Sequence, residues 1–173
     1  VIQGITCNKN HKKLLKISNE FDVKNVGINK QLKSDIKDFN RLNVFQNIEL
    51  YSKIINKKTD IIIFAISGLA GLDLIMDLAK SGKKIGIANK ECIISLGPSI
   101  SKIAKDNFTE IIPLDSEHNS IFHLLNNKFD TFKSITITAS GGPFRKLAFS
   151  SYNKITVKQA LKHPIWKMGK KIS

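Results

Sequence analysis

Asp115 and Glu117 stand two residues apart in Leu114-Asp115-Ser116-Glu117-His118-Asn119-Ser120 (LDSEHNS), directly after the apolar run Ile111-Ile112-Pro113. At a strand-to-helix turn neither extended nor helical geometry is fixed, so both carboxylates can converge on one hard cation such as Mg²⁺ or Mn²⁺. A catalytic metal needs a further ligand and open positions for substrate oxygens, and the chain offers no obvious third candidate. The same residues also suit a plain helix start, with Ser116 as cap and acids in the first turn complementing the helix dipole. Spacing alone leaves both readings open.

Three more segments carry groups that could do chemistry. Ser140-Gly141-Gly142-Pro143 offers a hydroxyl and backbone amides that an anion can approach without a Cβ in the way, although such a turn also serves simply to reverse the chain. His163-Pro164-Ile165-Trp166-Lys167-Met168-Gly169-Lys170-Lys171 combines an imidazole, an indole and ammoniums. Pro164 biases His163 to an extended backbone and Gly169 supplies a hinge, which suits a loop closing over an anionic ligand; a core tryptophan beside a solvated charge run is the plainer alternative. Asn89-Lys90-Glu91 can reach a phosphate or a substrate from a strand end, or simply start a helix.

The elements that would position these groups alternate. VIQGIT (1–6), KNVGI (24–28), DIIIFAIS (60–67), KKIGIAN (83–89) and TEIIPLD (109–115) read as strands, and DIIIFAIS is apolar throughout, as a strand buried on both faces is. Helices are expected over 11–19, more weakly around 30–40, after Gly68 and Gly71 up to a Ser81-Gly82 cap, and over 98–107. Repeated βα units imply an α/β fold with a parallel, Rossmann-like sheet and right-handed crossovers. Such sheets bind ligands beyond the carboxyl ends of their strands, where Ser67-Gly68, Asn89-Lys90-Glu91 and Asp115-Ser116-Glu117 all fall. After 120 the pattern changes: a short helix continues through Leu124-Leu125, and KSITITA (133–139) alternates like a half-buried strand of a different sheet. The expected division is therefore 1–115 and 116–173.

Composition narrows the classes. With 173 residues, 42% hydrophobic and 24% charged, the chain has ordinary globular content. No apolar run reaches the roughly 20 residues that span a bilayer, and the N-terminus lacks a signal-peptide pattern, so a cytoplasmic protein with no membrane partner is expected. Cys7 and Cys92 are far apart, which argues against a disulfide framework or a structural zinc site. The net charge of +14 could announce a nucleic acid or an anionic small molecule. Only Arg41 and Arg145 are arginines, and the lysines are spread through every segment rather than gathered into an arginine-rich stripe with aromatic platforms, so no nucleic-acid partner is expected.

ANKE (88–91), PLDSEHNSIF (113–122), TASGGPFR (138–145) and HPIWKMGKKIS (163–173) occur in this order, and through them the chain resembles the 1-deoxy-D-xylulose 5-phosphate reductoisomerase family, least over 20–58. The resemblance implies a Rossmann-like NADPH-binding domain over 1–115, lacking its first βα unit, and the beginning of an α+β catalytic domain over 116–173. It also implies an incomplete chain, because family members begin with a glycine-rich cofactor loop and continue beyond KKIS into residues that complete the phosphate and metal sites. By the same resemblance Asp115 and Glu117 are metal ligands for Mn²⁺, Mg²⁺ or Co²⁺. Lys90, Ser116, Glu117 and His163 are the expected catalytic residues. Lys90, Ser116, Ser140, His163, Trp166 and Met168 are expected to touch a sugar phosphate, and Asn8, Lys9, Asn10, Asn89, Glu91 and Gly169 to touch NADPH. Asn8, Ile165 and Lys167 depart from the commoner family residues. A homodimer, located in the cytoplasm or in a plastid-type organelle, completes the expectation. Another NAD(P)-dependent oxidoreductase acting on a phosphorylated small molecule, and a basic nucleic-acid-binding domain, are the alternatives.

Overall fold

The structure is a computed structural model that describes residues 1–29, 39–46, 53–125, 132–138, 141–162 and 164. It divides into two compact units, Val1–Asn119 and Ser120–Ser173.

In the first unit the apolar runs form strands: β1 (Gly4–Cys7), β2 (Asn25–Ile28), β3 (Asn43–Gln46), β4 (Ile61–Phe64), β5 (Lys84–Ile87) and β6 (Glu110–Pro113). All pairings are parallel, in two three-stranded sheets ordered β1-β2-β3 and β4-β5-β6. Crossovers by α1 (His11–Glu20), α2 (Leu72–Leu78) and α3 (Lys90–Asp106) make this the expected α/β, Rossmann-like pattern. Strand β3 was not anticipated, and the weak helix around 30–40 falls mostly outside the described residues.

Each sheet has its own core. Phe64, Ile75, Leu78, Ile85, Ile87, Cys92 and Ile100 pack around the second sheet; Leu14, Val26, Ile28 and Phe39 pack around the first. The outer edges of β1 and β4 border a common trough of about 1110 Å³, lined also by Leu14 and Ile17 of α1 and Leu74 and Leu78 of α2. The side chain of Gln3 ties the N-terminal ends of the two strands together: its Nε2 donates to the Lys58 carbonyl at 2.8 Å, and its Oε1 accepts from Thr59 Oγ1 at 2.7 Å.

Helix α3 joins two helices across a kink at Leu96: the second matches the expected span of 98–107, and the first, beginning at Lys90, adds to it. Asn89 caps the first, accepting from the Cys92 amide at 3.1 Å, and so starts a helix well before the proline. Pro98 lies inside and leaves its mark at Leu96, whose φ of −132° and ψ of 19° are not helical. Helix α4 (Ser116–Leu125) spans the division between the units.

In the second unit a 3₁₀ turn (Phe149–Lys154) leads into the one-turn helix α5 (Val157–Ala160), which opens on a capping box formed by Thr156 and Gln159. The strand expected over 133–139 is not formed in residues 134–138, which pair with no described strand. Alternation specifies a face, but a ladder needs a neighbour.

Candidate active site

The carboxyl end of β5 is built around one amide. Asn89 is only 4% exposed; besides capping α3 through Oδ1, its Nδ2 donates to the Gly68 carbonyl at 2.7 Å and to the Ile66 carbonyl. The loop after β4 and the start of α3 are thereby locked to each other, with Gly68 in the left-handed region at φ 69° where a side chain would be strained. This lock fixes the backbone of Lys90, the first residue of α3.

The carboxyl end of β6 delivers the acids. Asp115 directly precedes α4, and the Asn119 backbone amide donates to its carbonyl at 2.8 Å. Asn119 Nδ2 donates back to the Pro113 carbonyl at 2.8 Å, clamping the helix start to the strand end. Ser116 and Glu117 occupy the exposed first turn.

The two strand ends meet through an ion pair: Lys90 Nζ donates to Asp115 Oδ2 at 2.9 Å. The Asp115 side chain is 15% exposed, and its Oδ1 is buried without a hydrogen-bond partner. His118 Nδ1 lies 3.6 Å from that oxygen, one helical turn along α4. Burial pushes the Asp115 carboxyl up, but the hydrogen bond and charge of Lys90, followed by Glu117 and then His118, hold it below its ordinary value. Reciprocally, the Asp115 hydrogen bond raises the Lys90 ammonium against the opposing effect of burial.

An orphaned, buried carboxylate oxygen is expensive unless something cationic completes it. The donor set fits a hard divalent cation: Asp115 supplies that oxygen and Glu117 an exposed carboxylate two residues on. Among the described residues no group of three or more potential ligands gathers, so a further ligand has to come from elsewhere.

Of the other expected site residues, Asn8, Lys9 and Asn10 sit exposed at the carboxyl end of β1. Asn10 is the N-cap of α1, accepting from the Lys13 amide at 3.0 Å, and Asn8 Oδ1 accepts from Asn29 Nδ2 at 3.4 Å. Glu91 lies in the first turn of α3. Ser140, His163, Trp166, Met168 and Gly169 lie outside the described residues. Gly141, next to Ser140, has φ 73°, in the left-handed region that favours glycine. The sequence reading passed over His118 and Asn119. The i, i+3 spacing of His118 from Asp115 was the available signal; the Asn119 clamp had none beyond its residue type.

Two family models match the chain. One, described as 1-deoxy-D-xylulose 5-phosphate reductoisomerase, covers residues 1–97, and the other, its C-terminal domain, covers 111–173. The reductoisomerase of Pelagibacter ubique is 45% identical over 179 residues, and that of Wolbachia pipientis 38% over 178; each comparison takes in 99% of this chain. Among solved structures, a DOX-P reductoisomerase in complex with NADPH, fosmidomycin and magnesium superposes with a TM-score of 0.81 at 29% identity, covering 98% of this chain and 46% of that one. The Zymomonas mobilis reductoisomerase in complex with NADPH gives 0.80 at 28% identity, covering 94% of this chain and 44% of that one. The chain spans 46% of the Pelagibacter protein and 45% of the Wolbachia one. Matched along both its units, with its carboxylates, lysine and capping amide at the strand ends, the chain belongs to the 1-deoxy-D-xylulose 5-phosphate reductoisomerase family.

Proposed function

We propose that the whole protein converts 1-deoxy-D-xylulose 5-phosphate to 2-C-methyl-D-erythritol 4-phosphate with NADPH and a divalent metal, in non-mevalonate isoprenoid synthesis. The observation that carries this reading is the orphaned Oδ1 of Asp115 at the carboxyl end of a parallel strand, beside Glu117 and across from Lys90. Asp115 and Glu117 would hold Mg²⁺, Mn²⁺ or Co²⁺. When bound, the metal supplies Lewis-acid polarisation of the substrate's carbonyl and neighbouring hydroxyl oxygens.

The chain's own residues orient the reactants. Ser116, exposed between the two carboxylates, would hydrogen-bond a substrate hydroxyl, and Lys90 would neutralise developing oxygen charge. Ser140 and His163 would bind the phosphate, far from the reacting carbons, so that its binding energy is spent on orientation. Trp166 and Met168 would cover the substrate and exclude water. On the cofactor side would stand Asn8, Lys9 and Asn10 after β1, Asn89 and Glu91 after β5, and, by the resemblance alone, Gly169. Asn89 contributes there chiefly by fixing the strand-end loops. The catalytic domain would begin at Ser116. A cytoplasmic homodimer is the proposed setting; no described helix is long and apolar enough to cross a membrane.

The test is NADPH oxidation by the longer protein. It should require both 1-deoxy-D-xylulose 5-phosphate and Mg²⁺ or Mn²⁺; reduction of other sugar phosphates in its place would sink the reading. Asp115→Asn and Glu117→Gln should each lower kcat/KM by at least about a hundredfold in that protein.

A further inference from the structure

Lys90 stands where an ammonium is unwelcome. It is the first residue of helix α3, at the end of the helix dipole that repels cations. What holds it there is Asp115, 2.9 Å away on the next strand's end, and Lys90 occupies only one of the two carboxylate oxygens. The other is buried without a hydrogen-bond partner, His118 Nδ1 lying 3.6 Å away. A divalent ion on that carboxylate would sit at about 2.0–2.2 Å from its oxygen and within a few ångströms of the ammonium. Two like charges of that size at that separation repel strongly in a partly buried site. Lys90 has the means to yield: its side chain is 39% exposed, on a flexible four-carbon stem. Asn89, locked by three hydrogen bonds, keeps its backbone in place while the side chain moves.

We propose that Lys90 is the resident counter-ion of Asp115, and that a divalent cation displaces it, so that metal binding itself releases the ammonium towards an oxygen-rich, anionic substrate. This rests on the metal role given to Asp115 and Glu117 above. It adds an order of events: metal first, then Lys90 engages the substrate. By linkage, a substrate that captures Lys90 tightens the metal, and the reverse holds to the same extent.

The proposal can be tested on the longer protein with Mn²⁺ as the probe, free Mn²⁺ being counted by electron paramagnetic resonance. Lys90→Met removes the competitor and should tighten Mn²⁺ binding by about threefold or more. Lys84→Met removes an equal charge at the far end of β5, where Lys84 pairs with Glu110 at 3.1 Å, and should change nothing. Equal or weaker binding by the Lys90→Met chain, or an equal gain from Lys84→Met, overturns the proposal. Asp115→Asn should abolish binding; if it does not, the metal reading fails, and the proposal with it. Should neither the parent nor the Lys90→Met chain bind Mn²⁺ at a defined site, both are overturned. As an independent readout, Mg²⁺ should speed acetylation of Lys90 by acetic anhydride, followed by mass spectrometry, while Lys80, paired with Asp77 on the surface, is unaffected. A Lys90 rate that is unchanged or slowed by Mg²⁺ counts against displacement.

Discussion

At the scale of residues, the pair Lys90–Asp115 sets a pH window for stability. The Asp115 carboxyl is held below its ordinary value, so its contribution is present above the unfolded value near 4 and is lost as pH falls through the folded one. Lys90 is raised, so its share persists at neutral pH and is lost only as pH climbs past its folded value in the alkaline range. Asp115→Asn keeps the size of the side chain and removes the charge. It should cost about 1 kcal/mol at pH 7, kept small by the exposure of Lys90, and the gap in urea-unfolding free energy should close as pH falls through the lowered Asp115 value. Asn89→Ala is more damaging, because it frees three backbone groups at once: a loss of about 2 kcal/mol or more is expected in the same measurement. Asn89→Asp should not restore it, since a carboxylate keeps the cap but faces two carbonyls. The residue types of LDSEHNS and ANKE were legible in the chain; their meeting was not, because Lys90 and Asp115 are 25 residues apart and only the pairing of β5 with β6 brings them together.

At the scale of elements, apolar runs and turn residues marked five of the six described strands, and α1 and α2 among the helices. Helix α3 is two helices joined across a kink at Leu96: the expected span of 98–107 is the second of them, opening close to Pro98, and the first starts at the buried Asn89 cap, the helix start that Asn89-Lys90-Glu91 also allowed. Strand β3, four residues of Asn43–Gln46, carries too little periodicity to stand out, and parallel pairing with β2 is what makes it a strand. The turn between β4 and α2 shows how tightly these elements are matched. A Cβ on Gly71 would lie 2.4 Å from Cζ and 3.0 Å from Cε2 of the buried Phe64, with Ile66 Cβ at 3.2 Å. Phe64 sits at the centre of the second core and cannot swing away cheaply. Gly71→Ala should therefore destabilise by about 1–3 kcal/mol, visible as a lowered midpoint of thermal unfolding, even though alanine is the better helix former at an ordinary position.

At the scale of the molecule, a parallel sheet interrupted in the middle should betray itself in the exchange of its amides. Lys84 donates to the Asp60 carbonyl and Ala88 to that of Phe64, so the even-numbered peptide groups of β4 face β5, and those of Ile61, Ile63 and Ala65 turn to the trough. Asn29 donates to the Cys7 carbonyl, so the odd-numbered groups of β1 face β2, while Gly4 and Thr6 turn to the trough. No described residue hydrogen-bonds those outward groups, and the Ile61 and Ile63 side chains, 57% and 62% exposed, give the β4 edge an apolar surface. Neither feature was legible in DIIIFAIS, whose apolar character promised burial on both faces; burial is a property of the neighbours as much as of the strand. Hydrogen exchange of the 173-residue chain should thus alternate along both strands: Ile61, Ile63, Gly4 and Thr6 at least about tenfold faster than Ile62, Phe64 and Ile5. An open apolar edge also recruits other edges, so the chain should self-associate with concentration in sedimentation, and Ile63→Lys should suppress this without lowering the unfolding midpoint by more than a few degrees. Uniform protection along β1 and β4 in a chain shown to be monomeric would mean that their outer edges are paired, and the two sheets would then have to be redrawn as one.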